Sequence, residues 1–180
     1  MANQLILRGI RDAKVATYIS EGAWGPAYDI KGIREASIEL ELETDQLEGD
    51  DEVVDRYSRI ISATISFEQA YLDYQAMAIV AGGALNSGAN YDEWLLDGES
   101  DPPYVGLAFR VVASDGKDNH YFFPKAKLSG NLSLTAAYGS YTTPSAEFQA
   151  IKDGAQGTMR GRAYDATTTL TIPLANTVDP

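Results

Sequence analysis

Residues 37–67 read SIELELETDQLEGDDEVVDRYSRIISATISF, with two alternating segments on either side of an acidic turn region. The first seven of these residues alternate between polar and aliphatic side chains, which is typical of a β-strand with one polar face and one buried face. After a turn region around Gly49, alternation returns, so we expect one long hairpin over residues 35–67. Because its loop is longer than a two-residue turn, the hairpin should project beyond the sheet.

The sequence is acidic, and the charge is unevenly distributed. Among 180 residues there are 14 Lys and Arg against 26 Asp and Glu, a formal net charge of −12. Residues 35–55 hold ten acids and no base, whereas residues 1–34 hold five bases and three acids. Such a surface repels nucleic acid, whose phosphates need Lys and Arg to replace their counterions. Ordinary DNA binding is therefore disfavoured.

Composition places the chain among globular proteins. Apolar residues make up 44% and charged residues 22%, and the length suits one domain over residues 1–180. There is no cysteine, which excludes a disulfide framework and a thiolate metal site. We expect a soluble, intracellular product, because the sequence has no 18-residue apolar run and its start does not resemble a signal peptide.

The rest of the chain predicts one helix and several more strands. The period of the pattern changes over residues 68–83, where Gly82 and Gly83 would end a helix. Residues 104–174 predict the remaining strands, with a break at Pro124. One of these strands contains Leu128, Leu132 and Leu134. Residues 1–34 hold either a strand or an arm that folds only on assembly.

These elements predict the fold class. We expect a mainly β protein, an antiparallel β-sandwich or barrel with one short flanking α-helix and a long projecting hairpin. Exposed edge strands and long hairpins in such a fold tend to pair with copies of the same chain.

Candidate catalytic groups are sparse. His120 is the single histidine, and without a nucleophile or acid arranged around it we interpret it as an exposed or edge-strand residue rather than a general base. Three acids near Trp94 superficially resemble a glycosidase site, but solvated loop acids beside a core tryptophan are commoner. They are Asp92, Glu93 and Asp97. We therefore expect no enzyme.

The acids around Gly49 do not match a metal loop. Oxygen-rich clusters suit calcium, but here two acids follow the glycine at once and the distal Glu of the calcium loop is missing. No phosphate-binding glycine motif is present either. We therefore expect no metal and no cofactor.

Three segments, taken in order, resemble tail tube proteins of tailed bacteriophages, also called major tail proteins. They are LEGDDEVVDRYSRIISATISFEQAYLDYQAMAIVAGG (47–83), YFFPKAKLSGNLSL (121–134) and SAEFQAIKDG (145–154). The resemblance lies in their order: an acidic Gly-Asp hairpin tip, a strand leading into a short helix that ends in two glycines, an aromatic-Pro-basic strand and a late strand.

The resemblance implies a structural protein of the virion tail, made in the cytoplasm of the bacterial host. Subunits of this family form hexameric rings that stack into a hollow tube through which DNA passes without specific binding. The implied partners are further copies of the chain and the tape measure, tail terminator and baseplate proteins, with no membrane contact.

Together with this resemblance, the charge pattern suggests two roles for the acids of the hairpin. A tube wall lined with carboxylates would repel passing DNA, and the polar face of the first hairpin strand is the candidate lining: Glu39, Glu41, Glu43 and Asp45. The hairpin tip would reach the neighbouring ring: Glu48, Gly49, Asp50, Asp51, Glu52 and Asp55. A basic counter-surface is available there: Arg8, Arg11, Lys14, Lys31 and Arg34.

Two alternatives remain open from the sequence. The acidic hairpin could serve solubility alone. The chain could also be a monomeric β-sandwich module that binds carbohydrate or another ligand through Trp24, Trp94 and exposed tyrosines.

Overall fold

The structure is a computed structural model that describes residues 7–49, 52–70, 73–99, 101–113, 116–134, 138–139 and 143–174. In chain order the strands are β1 (Leu7–Ser20), β2 (Ala23–Trp24), β3 (Tyr28–Asp29), β4 (Ile33–Gly49), β5 (Glu52–Gln69), β6 (Ala84–Ser87), β7 (Asp92–Leu95), β8 (Val105–Ala113), β9 (Lys117–Leu128), β10 (Ser145–Ala150) and β11 (Arg160–Asp165). Helix α1 spans Tyr74–Ala81, and a 3₁₀ turn spans Gly154–Gln156.

Nine of the strands form one antiparallel sheet. Its order is β2-β1-β8-β9-β10-β5-β4, with β3 paired to β1 and β11 paired to β9. The sheet curls until residues of β1 and β4 approach within 8 Å between Cα atoms. Strands β6 and β7 form a separate hairpin. This architecture confirms the predicted mainly β, antiparallel fold with one short α-helix, and the predicted long hairpin is β4–β5.

The concave face of the curled sheet encloses the main core. Buried side chains from β1, β5, β8, β9 and β10 meet there, together with Val80 from α1. Phe67 of β5 stacks on Phe148 of β10 with 5.4 Å between ring centroids, and Phe109 packs edge-on against Phe123 at 6.3 Å. Alternation along each strand supplies these apolar residues, since every second side chain points to the same face.

A second apolar cluster covers the convex face over β8, β9 and β11. We call it the outer cluster, and its buried members are Ala108, Phe122, Tyr164, Leu170 and Leu174. Trp24 packs edge-on against Phe122 at 5.1 Å, and its indole N–H donates to the carbonyl of Pro124 at 2.7 Å. The chain after β11 therefore crosses the sheet and closes this face.

Helix α1 is shorter than the predicted 68–83. Glu68 and Gln69 stay in β5, because they pair with β10 and β4. The helix begins after Asp73, whose carboxylate accepts from the backbone N–H groups of Gln75 and Ala76. The predicted end is confirmed, since Gly82 adopts φ +78° as the C-cap.

Three further expectations about strands are wrong. Strand β9 continues through Pro124, because the register between β8 and β9 shifts at this point and the missing N–H falls in the irregularity. Beyond Leu128 no strand forms in residues 129–134, where Ser133 makes only an isolated bridge to Ser145. The last strand ends at Asp165, so residues 166–174 are not part of the sheet.

The open question about the N-terminal segment is also answered in part. Strand β1 is a regular member of the sheet from Leu7 onward and pairs with β8 along its length. Residues 1–6 lie outside the described part of the chain. An arm that folds only on assembly is therefore not required for residues 7–34.

Replacing Phe148 with Ala tests the main core. The ring is fully buried against Phe67, so its loss should lower the free energy of unfolding of the unassembled protein by about 3–5 kcal/mol. The neighbouring Gln149→Ala is the control, because Gln149 lies exposed on the opposite face and donates only long hydrogen bonds of 3.4 Å, so its loss should change stability by about 1 kcal/mol or less. Urea titration measures both, and equal effects would contradict this core.

Candidate functional site

The convex face of the β4–β5 hairpin carries the predicted lining residues. Pairing places Glu39 opposite Thr64, Glu41 opposite Ser62, Glu43 opposite Arg59 and Asp45 opposite Tyr57. The four carboxylates lie on one side of β4 and are all exposed. The period-two prediction is therefore confirmed as to face and exposure, while the role of the residues stays a prediction.

The sheet extends this charge beyond the four predicted residues. Glu35 lies directly opposite Glu68, and Glu147 of β10 lies opposite Ser66 in the adjacent row. We call the enlarged surface the acidic face, and its carboxylates are Glu35, Glu39, Glu41, Glu43, Asp45, Glu68 and Glu147. A shallow polar cleft of about 410 Å³ crosses it between β4 and β10, lined in part by Ser37, Ser66 and Asn131.

Hydrogen bonds hold part of the acidic face in place. Arg59 forms an ion pair with Glu43 at 2.5 Å, and this carboxylate raises the pKa of the guanidinium. Glu41 accepts hydrogen bonds from Ser62 and Gln149. Strand pairing places Arg59 among these seven carboxylates and Lys127 of β9 opposite Gln149 at their border, so acids outnumber bases and the surface remains negative.

The concave face of the same hairpin is apolar and uncovered. Ile38 and Ile65 pair at the edge of the main core, and the pattern continues outward as Leu40 opposite Ala63 and Leu42 opposite Ile60. Leu40 is 43% exposed, Leu42 62% and Ile60 51%. We call these three residues the apolar strip. The expectation of a half-buried strand is thus wrong for this outer part.

The outer part of the hairpin is uncovered because the neighbouring strand, β10, is short. Strand β10 pairs with β5 only from Ala63 to Glu68, so β4 and β5 continue beyond it as a two-stranded ribbon. The ribbon comprises residues 41–49 and 52–62 and extends roughly 30 Å at about 3.4 Å per residue. An isolated two-stranded ribbon is only marginally stable in water, and an exposed apolar patch marks an interaction surface.

The edge of the hairpin is also open. Within the described residues, β4 pairs only with β5, so its outer N–H and C=O groups lack a strand partner along most of its length. Open edges of this length accept another strand or are protected by charge. The ribbon therefore offers three unsatisfied surfaces: an apolar strip, a strand edge and a negative face.

Fewer bases are available for the predicted basic counter-surface than the sequence indicates. Lys14 forms an ion pair with Asp29 across the β1–β3 pairing, so its charge is already compensated inside the chain. Arg11, Lys31 and Arg34 are exposed. Arg8 lies in β1, outside the residues whose side chains are described.

The predicted tip is described only in part. Glu48 and Gly49 end β4, and Glu52 and Asp55 belong to β5. Asp50 and Asp51 lie outside the described residues. Their proposed contact with a neighbouring ring therefore stays a prediction.

The histidine is not where the sequence placed it. His120 lies on β9 between β8 and β11 and is 1% exposed, so the interpretation as an exposed or edge-strand residue is wrong. It is buried because β11, which follows much later in the chain, pairs with β9 on the side away from β8, and no local pattern signals that pairing. No group of three or more potential metal ligands occurs among the described residues.

The two tryptophans are used inside the fold. Trp24 donates to Pro124 in the outer cluster, whereas Trp94 of β7 donates to the carbonyl of Gly82 at the end of α1 at 2.9 Å. Asp92, Glu93 and Asp97 are exposed beside it. Both indole N–H groups are thus committed in separate parts of the molecule, which gives no support to a joint ligand-binding face.

No protein-family model matches the chain, and no curated protein matches its sequence. Within the described residues there is no helix with the length and apolarity needed to cross a membrane.

Replacing Leu42 and Ile60 with Thr tests whether the apolar strip is uncovered in the free subunit. Because both side chains face water and Thr favours strands, the double variant should change the free energy of unfolding of the unassembled protein by about 1 kcal/mol or less. Urea titration at low protein concentration measures this. A loss above about 3 kcal/mol would show that the strip is covered within one chain.

Proposed function

We propose that this protein is the tail tube subunit of a tailed bacteriophage, which assembles into stacked rings that enclose a conduit for DNA. The observation that supports this proposal is the β4–β5 ribbon, with carboxylates on its convex face and exposed aliphatic side chains on its concave face. One chain leaves both faces in water, whereas a closed assembly gives each face a different environment. The resemblance to major tail proteins adds the expectation of hexameric rings.

The apolar strip favours contact with another copy. Covering Leu40, Leu42 and Ile60 removes apolar surface from water at about 25 cal/mol per Å², and the strip continues the core face across the register shift between Glu41 and Leu42. Leu42 and Ile60 lie on the ribbon and Leu40 lies immediately before it, and the partner does not need to present an identical strip. A contact between different surfaces of identical subunits propagates as rings or open stacks, which is the symmetry a tube requires.

The acidic face suits the inner wall of such a tube. DNA carries one negative charge per about 1.7 Å of its axis, and Lys or Arg on the wall would bind it by releasing counterions. Carboxylates on three adjacent strands give a repelling wall instead. DNA would then pass along a continuously negative surface without making specific contacts.

The exposed bases offer the counterpart for the hairpin tip. Arg11, Lys31 and Arg34 are exposed near the start of β1 and β4, at the opposite end of β4 from the tip. In stacked rings the tip of one subunit would meet the basic end of the next. Such charge pairs set register and association rate more than affinity.

Assembly provides the first test. We expect the purified wild-type protein to form hollow tubes or rings of uniform diameter in electron micrographs. Leu42→Thr with Ile60→Thr should raise the protein concentration needed for assembly at least roughly tenfold, because each lost aliphatic side chain removes about 1.5–3 kcal/mol of burial.

A matched control separates this effect from general surface change. Leu95→Thr alters a strand leucine that is 55% exposed on the β6–β7 hairpin, so it should assemble like wild type. A wild-type protein that stays monomeric at all salt and protein concentrations would overturn the proposal, as would a ribbon variant that assembles normally.

DNA passage provides the second test. Virions that carry Glu39→Lys, Glu41→Lys and Asp45→Lys should eject DNA more slowly, and the delay should shrink as salt rises. This variant leaves the Glu43–Arg59 ion pair intact. Asp92→Lys, Glu93→Lys and Asp97→Lys make the same charge change on the β6–β7 side and should eject normally. Equal ejection kinetics for the two variants would show that the acidic face does not line the lumen.

A further inference from the structure

A row of charged and titratable groups runs across the convex face beside the outer cluster. Strand pairing places Asp12 of β1 opposite Arg110 of β8, Arg110 opposite His120 of β9, and His120 opposite Arg162 of β11. His120 is 1% exposed, and the ring of Tyr164 lies 4.6 Å from its imidazole between centroids. The histidine is therefore enclosed between two guanidinium-bearing strands and an aromatic ring.

The nearest carboxylate is already engaged. Asp118, two residues before His120, accepts from Nε of Arg110 at 2.6 Å and forms the ion pair with that guanidinium. The Nε2 atom of His120 is buried and has no hydrogen-bond partner among the described residues. A neutral imidazole tolerates this setting, whereas an imidazolium would add a second buried N–H and a positive charge beside Arg110.

Arg110 connects this row to the C-terminal segment. Its guanidinium donates to the carbonyl of Ala166, the first residue after β11. The segment 166–174 contains no charged residue and covers the sheet through Leu170, Ile172 and Leu174, which pack in the outer cluster with Trp24. Its attachment thus combines apolar packing with one hydrogen bond from a group adjacent to His120.

The protonation equilibria agree with this geometry. Burial lowers the pKa of His120, and the charge of Arg110 lowers it further, while Asp118 opposes them. Burial raises the pKa of Asp12, with Asp29 acting in the same direction and Lys14 and Arg110 against it. The neutral imidazole is therefore the form that the closed fold prefers.

We propose that His120 is an acid-sensitive latch that holds the C-terminal segment 166–174 closed while it is neutral and releases it when it is protonated. The imidazolium repels Arg110 and competes for Asp118, which weakens the contact between Arg110 and Ala166. The segment then separates from the outer cluster and exposes the apolar side chains of Leu170 and Leu174. The proposal concerns the fold of this chain and does not depend on the tube.

The direction of the pH effect follows from the protonation of His120 in the closed and open forms. Above pH 6.5, the ordinary pKa of histidine, the closed and open forms both hold a neutral imidazole, so His120 does not disfavour closure. As the pH falls below that value, the open form takes up a proton before the closed form does. Closure therefore weakens with acidification, and at pH 5.5 the open population can rise by a factor of up to about tenfold.

Hydrogen exchange of the full-length protein tests the latch. After correction for the intrinsic pH dependence of amide exchange, peptides that cover residues 166–174 should exchange several-fold faster at pH 5.5 than at pH 7.5. Peptides from β10 (Ser145–Ala150), which lie away from this row, should be unchanged. A His120→Phe variant keeps a ring against Tyr164 and should show no pH effect.

Two further measurements decide whether His120 or Asp12 is the source of the pH effect. Asp12→Asn should keep the pH effect; if it removes the effect while His120→Phe keeps it, Asp12 is the sensor and the proposal is wrong. Because the chain has a single histidine, NMR titration of wild type reports His120 directly even if the Phe variant fails to fold. A midpoint below 6.5 that coincides with segment exposure supports the latch, and a midpoint at or above 6.5, or unchanged exchange, overturns it.

Discussion

Two strands of this protein are longer than the sheet that supports them, and the other features of its surface depend on that mismatch. Strand β10 ends its pairing with β5 at Ala63, while β4 and β5 continue as a ribbon. The hydrogen-bond ladder of the ribbon is satisfied on one side only, and its aliphatic face leaves the core and enters solvent. Within one chain the sheet therefore ends in an open edge that could pair with a further strand.

The two faces of the ribbon call for different neighbours. Leu40, Leu42 and Ile60 gain from contact with an apolar surface, whereas the carboxylates of the acidic face lose free energy if they are buried without partners. An arrangement that covers one face and leaves the other in water satisfies both. A closed ring with the acidic face toward its axis is one such arrangement, and under the proposed function it would also keep DNA away from the wall.

Local patterns in the sequence predict the elements that are formed by residues close together in the chain. Alternation from Ser37 to Glu43 indicated the hairpin and its acidic side, and Gly82 indicated the end of α1. The start of the helix was also signalled, because Asp73 is a typical N-cap residue, but the apolar run before it pointed to an earlier start.

Features that depend on distant pairing could not be predicted in the same way. Glu147 joins the acidic face through β10, and His120 is buried where the distant strand β11 joins the β8–β9 hairpin. Alternation also identifies which residues share a face without showing whether a neighbour covers that face. The exposed Leu42 illustrates this, since its pattern matches that of the buried Ile65.

The most direct measurement of the central claim is a map of the assembled protein by electron cryomicroscopy at a resolution that shows side chains. We expect Leu42 and Ile60 to lie buried against another copy of the chain while Glu39 and Glu41 line an open channel. An assembly in which the ribbon's aliphatic side chains face solvent, or in which those carboxylates lie on the outer surface, would contradict it.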